Sequence, residues 1–409
     1  MVMLQSDLLN LIAQGEGAKS EFKRDDVHSE VLAKEIVALA NMNGGVILLG
    51  VEDDGQISGI TKKNLQKWLM DTVVGKHIHP SILPDYYELH IEGKTVAIIT
   101  VLEGMGKPYV VRHNDREDIC VRTGNTCQFA TREQTARLLE RGGFLKTDKL
   151  PISGSSPNDL DERRFTNYFY GIYDMGGAVR ERGDTDAAFI VDWLTNRELM
   201  CQLAGDDVCT IAGLVLFGKR PSRRLPQASI RMAVYPATDK VRNNTIDKDL
   251  SAPFVGLQDS KDHSYVEPSI PRQVIDILEP HISRETMKGV ERVRLWDYPE
   301  NVIRELVVNA FAHRDWTRST DIEISVYSDR MEIISPGALP NGMTIEKLKA
   351  GQRVPRNHNI INVLRDYGLM EHQGMGIRRT VIPSMLKNNK TEPGFEATDD
   401  FFKVTLWKN

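Results

Sequence analysis

Cysteine is scarce in this chain of 409 residues, and that scarcity already narrows the field. Cys120, Cys127, Cys201 and Cys209 include no Cys-x-x-Cys pair, so neither a disulfide framework nor a zinc site is expected. Such usage suits a reducing compartment, and a cytoplasmic location is the expectation. Long apolar runs are missing as well: nothing approaches the roughly 20 residues a membrane-spanning helix needs. The opening Met-Val-Met-Leu-Gln-Ser-Asp lacks a basic region leading into an apolar core, so no signal peptide is expected. There is no Gly-x-x-x-x-Gly-Lys-Ser/Thr loop, which excludes a helicase motor of the P-loop kind. Internal repeats and low-complexity tracts are absent. An excess of basic residues is absent too, with 52 Lys and Arg against 57 Asp and Glu and a net charge of -5. Any grip on nucleic acid must then come from a local patch. The clearest candidate is Lys219-Arg220-Pro221-Ser222-Arg223-Arg224, which reads equally well as a solvated loop after a strand.

The length exceeds what one core usually fills, so two or three domains are expected. The first stretch with chemical content runs from Glu16 to Asp54. A short helix over 5–15 precedes it. Gly15 and Gly17 bracket Glu16 in a loop, and Ser20-Glu21-Phe22-Lys23 follows. Ser29 is a plausible cap for a helix over 30–41, in which Leu32, Ile36 and Leu39 form one apolar face. Gly44-Gly45 ends it, and Val46 to Val51 reads as a buried strand leading to Glu52-Asp53-Asp54-Gly55. Acidic groups in a loop and at a strand end can converge, and with Lys23 nearby they could hold a divalent metal against a phosphate. The Glu-x-Lys triplet at 21–23 has the spacing of many metal-dependent nucleases, but a solvated charged surface explains it as simply. A helix over 61–74, strands over 86–92 and 96–102, two short strands at 109–112 and 119–122 and a helix over 131–141 complete this part. Arg112, Arg116 and Arg122 alternate with apolar residues and read either as a phosphate-contacting edge or as wet faces. His77 and His79 read as loop residues, lacking an acidic or cysteine cluster beside them.

Leu150 to Asp159 is the linker candidate, with two Pro, three Ser and one Gly. Beyond it, 160–205 is helical in pattern. Thr210 to Gly218 and Ile230 to Tyr235 read as buried strands, 236–265 as a long polar loop and 270–290 as helix.

Tyr298-Pro299-Glu300 opens a helix whose buried face is Val302, Ile303, Leu306, Val307 and Ala310. Glu305, Asn309 and His313 recur every four residues and form one polar stripe, drifting by roughly 40° per step. A carboxylate and an amide on one face suit a Mg²⁺–phosphate complex, the amide oxygen taking the metal and the carboxylate orienting a water. His313-Arg314-Asp315 reads either as a phosphate contact or as an internal ion pair closing the helix. Tyr298 and Trp316 read as core. Alternating strands at 321–326 and 330–334 follow, then the Ser335-Pro336-Gly337 loop and a helix over 358–367 stopped by Gly368. Gly374-Met375-Gly376 leads into another helix, where backbone N–H groups can approach phosphates. Phe401 to Trp407 is the last strand.

Two sets of these residues resemble known families. Ser20-Glu21-Phe22-Lys23, Ala38-Leu39-Ala40-Asn41, Gly44-Gly45 and Leu48-Leu49-Gly50-Val51 resemble the Schlafen AlbA-type domain, a small α/β nucleic-acid-binding unit. Some relatives cut RNA with three acidic residues, and the resemblance places these at Glu16, Glu21 and Glu52 or Asp53. Others only bind nucleic acid. Glu305-x-x-x-Asn309, the strand hairpin, the glycine loop and Gly374-x-Gly376 resemble, in that order, the GHKL-type ATPase fold. More closely, Arg304 to Asp315 is similar to the divergent ATPase-like domain often fused behind an AlbA-type domain, and Thr210 to Gly218 matches the middle of such chains. These are commonly described as transcriptional regulators or as ATP-dependent helicase-related proteins. Two departures stand out. Ser335 occupies the place where GHKL proteins carry an adenine-binding Asp, and the winged-helix segment of longer relatives does not follow Trp407.

The expectation is therefore an α/β (α+β) protein in three parts. These are an AlbA/Schlafen-like domain over 1–147, a linker and small connecting domain over 148–290, and a GHKL-like α/β sandwich over 291–409. The resemblance implies nucleic-acid binding, DNA or RNA, governed by ATP and Mg²⁺ held at Glu305, Asn309, His313, Arg314, Asp315, Gly337, Gly374 and Gly376, in a homo-oligomer without membrane contact. The alternative is a metal-dependent nuclease, a Schlafen-like RNase of host defence. It would use Glu16, Glu21 and Glu52 or Asp53 for Mg²⁺ or Mn²⁺, with Lys23 steadying the phosphate. A scaffold with an inactive ATPase-like domain is the third reading.

Overall fold

The computed structural model describes residues 4–114, 116–172, 187–259, 264–288, 291–340, 342–371 and 375–408. The chain divides into two compact units, Met1–Leu145 and Lys146–Asn409. Each is an α+β unit built on a mixed sheet. No helix among the described residues is long and apolar enough to cross a membrane.

The first unit comprises α1 (Gln5–Gln14), β1 (Ser20–Lys23), α2 (Ser29–Asn41), β2 (Gly45–Leu49), β3 (Asp85–Ile91), β4 (Lys94–Val101), β5 (Val110–His113), β6 (Arg116–Asp118), β7 (Cys120–Thr123), β8 (Thr126–Phe129) and α3 (Arg132–Arg141). Its main sheet runs β1-β2-β4-β3, with β1 parallel to β2 and the other pairs antiparallel. Strand alternation sorts the apolar residues onto two faces. Ile47, Leu49, Ala97 and Ile99 pack with Leu32, Ile36 and Leu39 of α2, whereas Phe22, Leu48, Val96 and Ile98 pack with Leu8 of α1. The return from α2 into β2 needs Gly44, because φ there is +69° and a Cβ would lie 2.6 Å from the Val101 carbonyl oxygen. Asn41 ends α2 in the interior. Its amide donates to the carbonyls of Tyr109 (2.8 Å) and Cys120 (2.9 Å) and accepts from Tyr109 N (2.7 Å), tying α2 to β5 and β7.

The second unit contains α4 (Ile211–Phe217), β9 (Ile230–Val234), β10 (Ile246–Leu250), α5 (Ile270–Ile282), β11 (Ser283–Lys288), β12 (Glu291–Trp296), α6 (Glu300–His313), β13 (Ile322–Val326), β14 (Arg330–Pro336), α7 (His358–Asp366), α8 (Ile382–Asn389), β15 (Gly394–Ala397) and β16 (Phe401–Trp407), with smaller elements between. A six-stranded sheet runs β10-β9-β13-β14-β16-β15. Only β9 and β13 pair in parallel within it. Its inner face, including Met232, Ile324, Ile333 and Val404, shares one apolar core with α4, α5 and α6. The stretch read as a connecting domain thus contributes β9 and β10 to the sheet of the C-terminal segment. Bringing β9 beside β13 buries both on the same core, which neither segment's pattern announces by itself.

Three local readings change. Thr210 to Gly218 is not a strand but the helix α4, capped by Thr210 Oγ1, which accepts from Gly213 N at 3.2 Å. All seven helical residues are buried, and an apolar run buried on every side shows no periodicity to separate helix from strand. The helix read over 270–290 ends at Ile282, and the chain turns there into the β11–β12 hairpin. The loop read over 236–265 contains β10, a polar edge strand whose charges kept it from resembling one. The stretch read as a linker is also ordered: Ile152 N donates to Cys209 O (2.8 Å), and Cys209 N donates to Ser155 Oγ (2.9 Å).

Gly213 tests the helical assignment. A Cβ there would lie 1.9 Å from the Leu199 carbonyl oxygen. Gly213→Ala should therefore cost more than ~2 kcal/mol of stability in urea denaturation, despite the better helix propensity of alanine. A neutral or stabilising effect would contradict the packing of α4.

Candidate functional site

Phe22 points into the α1-side core, so its neighbours Glu21 and Lys23 project from the other face of β1, toward α2. There they meet Arg122 of β7, which is 4% exposed. Its guanidinium donates through Nη2 to Glu21 Oε2 and to the Ser20 carbonyl (2.9 Å), through Nη1 to Glu35 Oε2 (2.8 Å) and through Nε to the Gly17 carbonyl (2.9 Å). Lys23 Nζ binds the other oxygen of Glu21, donates to the Phe22 carbonyl (2.9 Å) and lies 3.8 Å from Glu16. Glu16 Oε1 accepts from Phe22 N at 2.9 Å. Glu16, Glu21 and Lys23 thus come together, around an arginine and a second glutamate that sequence reasoning did not place with them.

Glu52 and Asp53 stand outside this network. Glu52 has a distant ion pair with Arg24 (4.0 Å), and Asp53 is exposed in the following turn. Both oxygens of Glu21 are engaged by cations, and among the described residues no group of three His, Cys, Asp or Glu side chains could hold a metal ion. The arrangement is a charge network and does not fit a metal cage. Arg122 is buried in it, Arg112 pairs with Glu117 (2.7 Å), and only Arg116 of the three arginines stands exposed without such a pair.

Burial, with the negative charge of Glu21 beside it, pushes the Glu35 carboxyl up to about 7 against the opposing pull of Arg122 and Lys23. Burial works against the Lys23 ammonium, but Glu21, Glu16 and Glu35 outweigh it and hold Lys23 above the ordinary lysine range. Glu35 carried one signal in the sequence, a carboxylate set between the apolar positions of α2.

In the second unit the stripe on α6 opens into a cavity. Glu305, Asn309, His313, Ser335, Gly337 and Gly376 all line it, gathered from α6, the end of β14 and the start of the helical turn before α8. Asn309 Nδ2 donates to Glu305 Oε1 (2.9 Å), leaving the Asn309 amide oxygen without a donor from the described residues. Burial holds the Glu305 carboxyl above the ordinary carboxylate range and Glu371 adds to this, while Asn309 and Arg304 oppose it. Gly376 is pressed against this carboxylate: a Cβ would lie 1.6 Å from Glu305 Oε1. Gly337, at φ +108°, would place a Cβ 2.5 Å from the Asp315 Cβ. Ser335 Oγ donates to the Ala310 carbonyl (2.8 Å). Gly374 lies outside the described residues.

His313 is pushed down to about 4 by burial and by the nearby charges of Arg356, Arg365 and His358, so it is neutral at physiological pH. Arg314 and Asp315 do not line the cavity. Arg314 donates to the carbonyls of Gln227, Arg318 (3.1 Å) and Thr320 (2.9 Å), with its guanidinium carbon 4.3 Å from the Trp316 ring centre. Asp315 accepts from Thr317 N (2.9 Å) and Thr317 Oγ1 (2.6 Å). Arg356 and Asn357, which the sequence did not flag, close the end of α6. Arg356 donates to the carbonyls of His313 (2.8 Å) and Ala338 (2.7 Å), and Asn357 Nδ2 to those of Ala312 (3.0 Å) and Arg314 (2.9 Å).

Comparison with known proteins matches each unit to a family model. Residues 16–131 match the family described as "Schlafen, AlbA_2", and residues 319–406 match "Putative ATP-dependent DNA helicase recG C-terminal". The chain is thus distantly homologous to the AlbA_2 domain and to a RecG-related ATPase-like domain. The second match starts beyond Glu305 and Asn309 and includes Gly337 and Gly376. No curated protein matches. Among solved structures, the DIP2311 protein from Corynebacterium diphtheriae is similar over 98% of this chain and 79% of its own, at 18% identity and a TM-score of 0.44. The N-terminal domain of a "Putative ATP-dependent DNA Helicase RecG-related Protein" from Nitrosomonas europaea is similar over 32% of this chain and 95% of its own, at 24% identity and a TM-score of 0.25. Both likenesses are too remote to assign a role to any residue.

Glu35 gives the first unit a pH dependence. Its carboxyl titrates near the model value 4.5 when unfolded and near about 7 when folded. The folded chain binds that proton more tightly, so stability falls as pH rises from about 4.5 through about 7. Glu35→Gln removes the ionisation and should flatten this slope in urea denaturation followed between about pH 5 and pH 8. An unchanged slope would assign the pH dependence elsewhere.

Proposed function

We propose that this protein is an ATP-binding, nucleic-acid-binding regulator. In this reading the C-terminal cavity takes a nucleotide, and nucleotide occupancy changes how the N-terminal unit engages DNA or RNA. What supports it is the convergence of Glu305, Asn309, His313, Gly337 and Gly376, separated by as much as 71 residues (376 − 305), around one cavity. The residues present fit a nucleotide. The Asn309 amide oxygen is open, Glu305 is held beside it, and two glycines bring backbone close to the cavity. Asn309 and the backbone at Gly337 and Gly376 would hold the ligand, and Mg²⁺ would supply neutralisation of its phosphate charge.

The nucleic-acid half of the proposal rests on the family match over residues 16–131. The Glu21–Arg122–Glu35 network then serves to fix β1, α2 and β7 against one another, so that the unit presents a rigid surface. A cleavage role for Glu16, Glu21 and Glu52 has no arrangement in its favour.

ATP with Mg²⁺ should raise the melting temperature of the wild-type chain, since a ligand at 100 times its Kd adds about 2.7 kcal/mol. Asn309→Ala should lose most of that shift. Absence of any shift in wild type would remove the nucleotide reading. In a second experiment, labelled RNA and DNA should bind with an affinity that falls with salt and changes on adding ATP, and should stay intact with Mg²⁺ or Mn²⁺. Metal-dependent cleavage abolished by Glu21→Ala would replace the regulator with a nuclease.

A further inference from the structure

The wall of the C-terminal cavity carries two cationic side chains, Arg353 and Arg365, alongside its apolar lining. Arg365 projects from α7 with its Nε buried and without a hydrogen-bond partner among the described residues. No ion pair to a carboxylate of those residues involves it. The adjacent Asp366 is engaged by the Tyr168 hydroxyl, which donates to it at 2.6 Å. Burial and the like charge of Arg353 both hold the Arg365 guanidinium below its ordinary range. The neighbouring Arg356 is occupied with backbone carbonyls, and His313 is neutral. Glu305 faces the cavity, but burial favours its protonated form and Asn309 already occupies one of its oxygens. Glu371 also lines the cavity, and its recorded influence falls on Glu305.

Two guanidinium groups pressed toward each other at a partly dry surface oppose folding unless something compensates them. An anion with several oxygens would do so. One edge of a guanidinium, Nε with one Nη, matches two oxygens of a phosphate, and the charge-assisted pair is stronger than a neutral hydrogen bond. The rest of the wall, with Ile333, Leu339, Phe402 and Val404, suits a flat apolar body and offers an anion nothing.

We propose that Arg365, with Arg353 beside it, is the phosphate-recognition pair of this cavity, which selects a polyphosphate-bearing nucleotide over a nucleoside. The inference rests on the nucleotide reading above and sharpens it. The unsatisfied Nε of Arg365 is the atom left for the ligand.

Calorimetric titration of the full chain with ATP, adenosine and inorganic tripolyphosphate tests this, using wild type, Arg365→Gln and Arg365→Lys, with circular dichroism to verify that the variants fold. Arg365→Gln should weaken ATP at least about tenfold and abolish tripolyphosphate binding, while adenosine binding stays within about twofold. Arg365→Lys should fall between, keeping the charge and losing the fork. Equal affinity of wild type and a folded Arg365→Gln for ATP would overturn the assignment and leave the nucleotide reading intact. Tripolyphosphate binding lost in Arg365→Gln, without binding of ATP or adenosine, would uphold the arginine pair and overturn the nucleotide reading. Failure of wild type to bind any of the three would overturn both.

Discussion

The candidate site in the second unit depends on how α6 is allowed to end. The last carbonyls of a helix have no partner within it, and here they end in the protein interior. Arg356 and Asn357 supply the missing donors, reaching Ala312, His313 and Arg314. Those two residues immediately precede α7, so satisfying one helix end also sets where the next helix begins. Asp148 completes the arrangement from the other side, with Oδ2 accepting from Asn359 N (2.8 Å) in the first turn of α7. The carbonyls of α6, the start of α7 and the first residues of the second unit are thereby joined in one polar cluster. Glu305, Asn309 and His313 on α6, and Arg365 on α7, face the same cavity as a result.

A guanidinium organises the first unit in the same way. Arg122 donates to two backbone carbonyls and two carboxylates, all near or below 9% exposed where the side chains are concerned. Removing one partner from such a network leaves an uncompensated buried charge, which costs far more than an exposed pair gains. That asymmetry explains why Glu21 and Lys23 form part of a scaffold although their spacing also suits phosphate chemistry. Glu35 bears the strain, its carboxyl raised because one arginine and one lysine serve three glutamates.

The two sites illustrate different uses of glycine. Gly44 and Gly337 occupy left-handed backbone conformations, where a side chain is strained whatever the space. Gly376 has ordinary helical backbone, and what it lacks is room, since Glu305 fills the space a methyl group would take. A glycine read as an approach for phosphate is therefore also a contact that positions a carboxylate.

Much of this was determined by the sequence alone, wherever local chemistry decides. The apolar faces of α2 and α6, the Gly44 turn, the alternating strands β13 and β16 and the four-residue stripe of Glu305, Asn309 and His313 are periodicities, and periodicity depends only on backbone geometry. Tertiary structure decided what no period encodes. It made Thr210 to Gly218 a helix, because a run buried on all sides carries no pattern, and it placed β9 beside β13 across about 90 residues of chain. It drew Arg122 away from the surface to Glu21 and Glu35, and turned Arg314 to backbone carbonyls while leaving Arg365 facing the cavity. A long charged side chain reads the same in any sequence, and only the groups folded around it determine whether its charge is satisfied from within or is left for a ligand.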